Sequence, residues 1–168
     1  SGSGQTTPDS VGAVGYHDRV VQDVEWLSDR QQQIWRTFLV GSSRINQHLD
    51  EDLNEFGIDL GEYEVLVCLS EADDWQLRMS DLAERANQSR SRLTHTVTRM
   101  ERDGLVTRST CPTDRRGVWA TLTKKGHALL VEAAPSHVRA VRDILIDRIS
   151  PDDFEAVGRV FSTVLEKP

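Results

Sequence analysis

Between Ser89 and Val106 the chain reads SRSRLTHTVTRMERDGLV, a run crowded with arginine and hydroxyl side chains. Guanidinium groups pair with phosphate oxygens, and hydroxyl, imidazole and guanidinium groups hydrogen-bond the edges of bases. The chemistry on offer is recognition of a polyanion rather than bond making. Its setting sharpens the point, because the whole chain has a formal net charge of −7. From Gln76 to Gly126 there are 11 basic and 5 acidic side chains, a surplus of +6. The remainder holds 9 basic and 22 acidic side chains, or −13. A basic segment set in an acidic body points to a polyanionic partner.

Other chemistries find little support. The five histidines (His17, His48, His95, His127, His137) include no H-E-x-x-H pair, and Cys68 and Cys111 form no C-x-x-C. There is no nucleophile elbow or glycine-rich phosphate loop. Neither an enzyme nor a resident metal or cofactor is expected. Two cysteines make no disulfide framework, and a reducing cytoplasm is their natural setting. No apolar run approaches the ~20 residues of a membrane span. The polar start SGSGQTTPDS has no signal-peptide core, and SGSG, without an initiator methionine, reads as an expression scar. With 168 residues, 38% of them hydrophobic and 28% charged, the chain fits one soluble globular domain.

The elements that would position the basic run follow from periodicity and capping. Residues 1–24 read as an N-terminal arm. Ser28 and Gln31 form a capping box, after which Ile34, Phe38, Ile45, Leu49, Leu53 and Phe56 recur at helical spacing until Gly57. A second helix is expected over Gly61–Ala72, and a short third one, SDLAERA, with Ser80 as its cap. The turn Asn87-Gln88-Ser89 opens a fourth helix that ends at Gly104 and buries Leu93, Val97 and Met100. Ser91, Thr94, His95, Thr98, Arg99 and Arg102 then project from its opposite side. Two short strands, LVTRS and VWATLT, joined by TCPTDRRG, predict a hairpin with a basic tip. A long helix is expected from Lys124 to about Ile149, kinked or broken at Pro135. Ser150-Pro151-Asp152-Asp153 starts a last helix with Phe154, Val157, Phe161, Val164 and Leu165 on one face.

Helix, tight turn, helix and hairpin in this order form a winged helix-turn-helix, whose second helix enters the DNA major groove. The expected fold is mainly α with a small β-hairpin wing, the winged core (61–123) being flanked by long dimerisation helices (25–60 and 124–168). Ser89, Arg90, Ser91, Arg92, Thr94, His95, Thr98 and Arg99 are the expected contacts from the helix. Asp114, Arg115 and Arg116 are those from the hairpin tip, where inserted arginine meets the negative potential of a minor groove.

The segment LRMSDLAERANQSRSRLTHTVTRMERDGLVTRSTCPTDRRGVWATLTKKGHALL resembles the MarR family of bacterial transcription regulators. Its wing, Asp114-Arg115-Arg116 followed by Leu122-Thr123 and Gly126, matches the family pattern D-x-R…L-T-x-x-G. The resemblance implies that Arg116 enters the minor groove and that Asp114 orients it. It also implies a homodimer, with the first and last two helices intertwined, on double-stranded DNA carrying a pseudo-palindromic operator. The apolar stripes on the first and last helices ask for such a partner independently.

What releases the DNA is less explicit. Trp35, Phe38 and Tyr63, with Trp26, offer apolar walls for a small hydrophobic or aromatic effector, and Arg44 and His48 offer polar anchors. The competing expectation is a thiol switch at Cys68 or Cys111. The reading is of a ligand-responsive dimeric repressor in the cytoplasm.

Overall fold

A computed structural model describes residues 24–110 and 117–166. Asp114, Arg115, Arg116 and Cys111 lie outside the described residues. The chain divides into two compact units, one up to Val40 and one from Gly41 onward.

The first helix, α1 (Asp29–Asn54), opens at the expected capping box. The Ser28 backbone N–H donates to Gln31 Oε1 at 2.8 Å, and the Gln31 N–H donates to Ser28 Oγ at 3.2 Å. In the unit up to Val40, Trp26, Ile34, Trp35, Phe38, Leu39 and Val40 are all exposed, so of the stripe read from the sequence Ile34 and Phe38 are uncovered here.

In the second unit α1 ends with Leu49 and Leu53 buried. Gly57 then turns the chain at φ 77°, a left-handed conformation that costs glycine little. The helix α2 (Leu60–Ser70) follows, with Asp59 as its N-cap. Val65, Leu66 and Leu69 are fully buried, as a helix apolar on most sides requires. The short helix α3 (Met79–Arg85) packs beside α4 (Arg90–Arg102). Between them Asn87 takes φ 49°, a left-handed turn that asparagine tolerates.

Three strands form one antiparallel sheet in the order β1-β3-β2. The hairpin is β2 (Val106–Thr110) and β3 (Val118–Leu122), with Val106 opposite Leu122 and Thr110 opposite Val118. The strand β1 (Gln76–Arg78) pairs with the other edge of β3. It was not legible in DDWQLR because three residues are too few to show alternation. Just before it, Asp74 and Trp75 both adopt positive φ, and the Trp75 ring stacks on His127 with centroids 4.4 Å apart.

The helix α5 (Lys124–Ile144) begins two residues after β3, with Thr123 as its N-cap. It closes the core through Leu130 and Ala133, and α6 (Pro151–Leu165), the last described helix, has no buried residue.

Two boundary expectations are corrected. Ser80 does not cap α3: the helix starts a residue earlier, after Arg78, with no side-chain cap, and the Ser80 hydroxyl donates to Asp81 instead. Pro135 does not break α5, which runs through it and ends at Ile144, ahead of a 3-10 turn at Ile146–Arg148. A proline removes one backbone donor; here buried Ala133 and Ala140, and Ser136 donating to Asp52 at 2.7 Å, hold the helix on both sides of it.

Candidate nucleic-acid interface

The helix α4 is the scaffold of the basic run. Ser89 Oγ accepts the Arg92 backbone N–H at 3.2 Å, so this hydroxyl caps the helix. Leu93, Thr96, Val97 and Met100 face the core. Arg90, Ser91, Arg92, Thr94, His95 and Thr98 are exposed together on the other side. Thr94 and Thr98 donate their hydroxyl hydrogens to the Arg90 and Thr94 carbonyls at 2.9 and 2.7 Å. What they present outward is therefore oxygen lone pairs and methyl groups. Those suit base amino donors and the thymine methyl.

Arg99 departs from this pattern. It is partly buried, and its guanidinium donates to Asp59 Oδ2 at 2.8 Å and to Glu62 Oε1 at 3.2 Å. Farther along the helix, Glu101 takes three hydrogen bonds from Arg108 of β2, from its backbone N–H and its guanidinium, at 2.7–3.1 Å. These bonds hold the Glu101 carboxyl below the ordinary carboxylate range. They also tie the base of the wing to α4.

Beside the first turn of α4 lies a cleft of about 480 Å³. Arg78, Ser80, Arg90, Thr94 and Arg108 supply its polar lining, and Met79, Leu93 and Val118 its apolar floor. The Arg78 guanidinium sits over the Trp119 ring, 5.5 Å from its centroid. Arg78 and Ser80 were missed in the sequence; the available signal was a basic residue immediately ahead of a helix.

The residues named for an effector are distributed as follows. In the first unit Trp35 and Phe38 stack with centroids 5.5 Å apart, both exposed. In the second, Arg44 is exposed and His48 half-buried, whereas Tyr63 is a core residue with His137 against its ring at 4.3 Å. Around that pair, Asp52 Oδ2 and His137 Nδ1 are buried without a hydrogen-bond partner among the described residues. Burial pushes the His137 pKa down, against the opposing pull of Asp52 and Glu64. The folded chain thus keeps this imidazole neutral where an unfolded one, with a pKa of about 6.5, takes up a proton. Stability from this group is complete above about pH 6.5 and is lost as pH falls below it. Urea midpoints measured from pH 7.5 to 5 should decline less steeply in His137→Gln than in the parent. Equal slopes would show that His137 protonates freely in the fold.

Burial, with Glu64 and Glu71 nearby, raises the Cys68 thiol pKa, the opposite of what a reactive thiolate requires. Among the described residues no group of three or more His, Cys, Asp or Glu side chains could hold a metal. No described helix is long and apolar enough to cross a membrane.

A three-stranded winged helix-turn-helix with a solvent-facing, arginine- and hydroxyl-rich second helix defines a DNA-binding protein. The MarR family model matches residues 58–118. AbsC, a MarR family transcriptional regulator from Streptomyces coelicolor, is 41% identical, with a TM-score of 0.79 over 84% of this chain and 95% of that one. Sco3205, a regulator of the same family and organism solved in complex with DNA, is 38% identical, with a TM-score of 0.82 over 85% and 90%. The homoprotocatechuate degradative operon repressor of Escherichia coli is 42% identical over 73 residues, 44% of this chain and 49% of that protein. The chain belongs to the MarR family and is a DNA-binding transcriptional regulator.

Proposed function

We propose that two copies of this chain bind a pseudo-palindromic operator as a repressor, released by a small hydrophobic or aromatic ligand. The observation that carries the DNA reading is the contiguous exposed face of Arg90, Ser91, Arg92, Thr94, His95 and Thr98 on a helix anchored along its other side. Arg90 and Arg92 on the first turn suit phosphates, and Ser91, Thr94 and His95 suit base edges. Asp114, Arg115 and Arg116 of the wing tip complete the surface in this reading. Two such helices related by a twofold axis read half-sites about one helical turn apart.

Support for an aromatic effector comes from the exposed Trp35–Phe38 stack. A repressor reading has support from a relative named as the homoprotocatechuate degradative operon repressor. The raised Cys68 pKa weighs against the thiol switch.

The test starts from a duplex selected out of random sequence by the full chain. Its footprint should span two half-sites, and His95→Ala or Ser91→Ala should relax base preference by about 1–3 kcal/mol. Phenols and aromatic acids titrated into the complex should release it, in a protein with both cysteines changed to serine as in the parent. A single half-site footprint, or equal affinity for random duplex, sinks the operator reading. Release by peroxide alone, abolished without cysteines, replaces the ligand by a thiol.

A further inference from the structure

Arg99 carries the charge of a DNA contact but not the placement of one. Its guanidinium reaches from the middle of α4 to the first turn of α2, where it bonds both carboxylates of a capping box. In that box Asp59 Oδ1 accepts the Glu62 N–H at 2.8 Å, and Glu62 Oε2 accepts the Asp59 N–H at 2.9 Å. The oxygens left over, Asp59 Oδ2 and Glu62 Oε1, are the two that Arg99 takes. Glu62 is 7% exposed, so losing this partner would leave a buried carboxylate without its cation. Two carboxylates against one guanidinium leave a local negative balance, which repels phosphate.

A second tie runs parallel to the first. Thr96, one helix turn from Arg99, donates to Gln88 Oε1 at 3.2 Å. The Gln88 amide donates in turn to the Gly61 carbonyl at 3.1 Å. Both connections join α4 to residues 59–62. Beyond them, the Leu60 N–H donates to Asp50 of α1 at 2.7 Å.

We propose that Arg99 is a positioning residue: it fixes the rotation and depth of α4 by clamping it to the capping box of α2, and touches no DNA. The proposal rests on the reading that the exposed face of α4 meets the operator. The guanidinium bonds the two carboxylates from separate nitrogens held in one plane, Nε to Glu62 and Nη2 to Asp59, and the single nitrogen of lysine cannot reproduce that fork.

The variants Asp59→Asn and Glu62→Gln separate the alternatives. Asparagine still caps a helix and glutamine still completes a capping box, but each removes a negative charge. Were Arg99 a phosphate contact restrained by its carboxylates, either change would free it and tighten DNA binding. A clamp predicts the reverse, with about tenfold weaker binding to the selected duplex and little change on random duplex.

Arg99→Gln should match that loss while leaving the slope of log affinity against log salt where it was. Arg90→Ala, a phosphate contact, should reduce the slope by about 0.9. If Arg99→Gln alone fails to fold because Glu62 is stranded, the double variant Arg99→Gln/Glu62→Gln serves, and should bind no more weakly than Glu62→Gln. Tighter binding by Asp59→Asn or Glu62→Gln, or a slope reduced by Arg99→Gln as by Arg90→Ala, overturns the proposal. So does unchanged operator affinity in Arg99→Gln. If Arg90→Ala also leaves affinity and slope untouched, the fault lies in the DNA face and not in the clamp.

Discussion

Gly126→Ala is expected to cost about 3 kcal/mol or more, lowering the thermal midpoint by roughly 10 °C on the scaling for a chain this size. A methyl group there would fall well inside contact distance of the Leu105 carbonyl oxygen and 2.8 Å from Leu122 Cδ1. The side-chain contact can shift, but the backbone one cannot do so cheaply, because Leu105 is already held. Its carbonyl accepts the Thr123 N–H at 3.1 Å, and its N–H donates to the Met100 carbonyl at 2.9 Å. Circular dichroism melting of parent and variant measures the effect. A midpoint within 2 °C of the parent would mean that α5 can slide away from the β2 strand, against the packing described. The glycine of the L-T-x-x-G pattern therefore has a steric reason: Leu122 fills the core, Thr123 caps α5, and only hydrogen fits at position 126.

The second large effect concerns assembly. The helix α6 buries none of its 15 residues, while Val157, Val164 and Leu165 are 36%, 72% and 80% exposed. A helix this short is marginal in water without tertiary packing. In the dimer proposed above, a second copy of the chain would cover this stripe with its own. Val157→Asp with Val164→Asp should weaken the dimer at least a thousandfold, about 4 kcal/mol, since it puts two carboxylates into an apolar contact. Exposed positions of a monomer would tolerate both changes, so the readout is assembly alone. Sedimentation should show the parent at twice the chain mass and the variant at the chain mass. A variant still at twice the chain mass would place the dimer contact elsewhere.

How far the sequence revealed this molecule depends on the range of each signal. Ser28–Gln31, Ser89 and Ser150 announced their helix starts because a cap is a local bond within three residues. The buried stripe of α4 was likewise readable from spacing. Arg99 was not, because its partners lie 37 and 40 residues earlier. On a helical wheel it shares a side with Thr98 and Arg102, and nothing within one turn marks it as inward-reaching. Tyr63 matches Trp35 and Phe38 in residue type, yet it packs on His137, 74 positions later. The strand β1 exists only through its pairing with β3, more than 40 residues away.

The junction at Thr123 bears on how a signal would travel. Its hydroxyl lies close to both the Gly104 and Leu105 carbonyls, at 2.7 and 3.1 Å, and accepts the Gly126 N–H at 3.0 Å. One side chain thus fastens the end of α4, the end of the wing and the start of α5. With 21 residues, α5 is about 30 Å long. Tilting that helix by about 5° at its far end moves the end by roughly 2.6 Å, and the wing must rotate with it. No chain of rearranging side chains is needed between body and wing. A tilt of α5 entering at this joint would reach the wing as through the welded elbow of a lever.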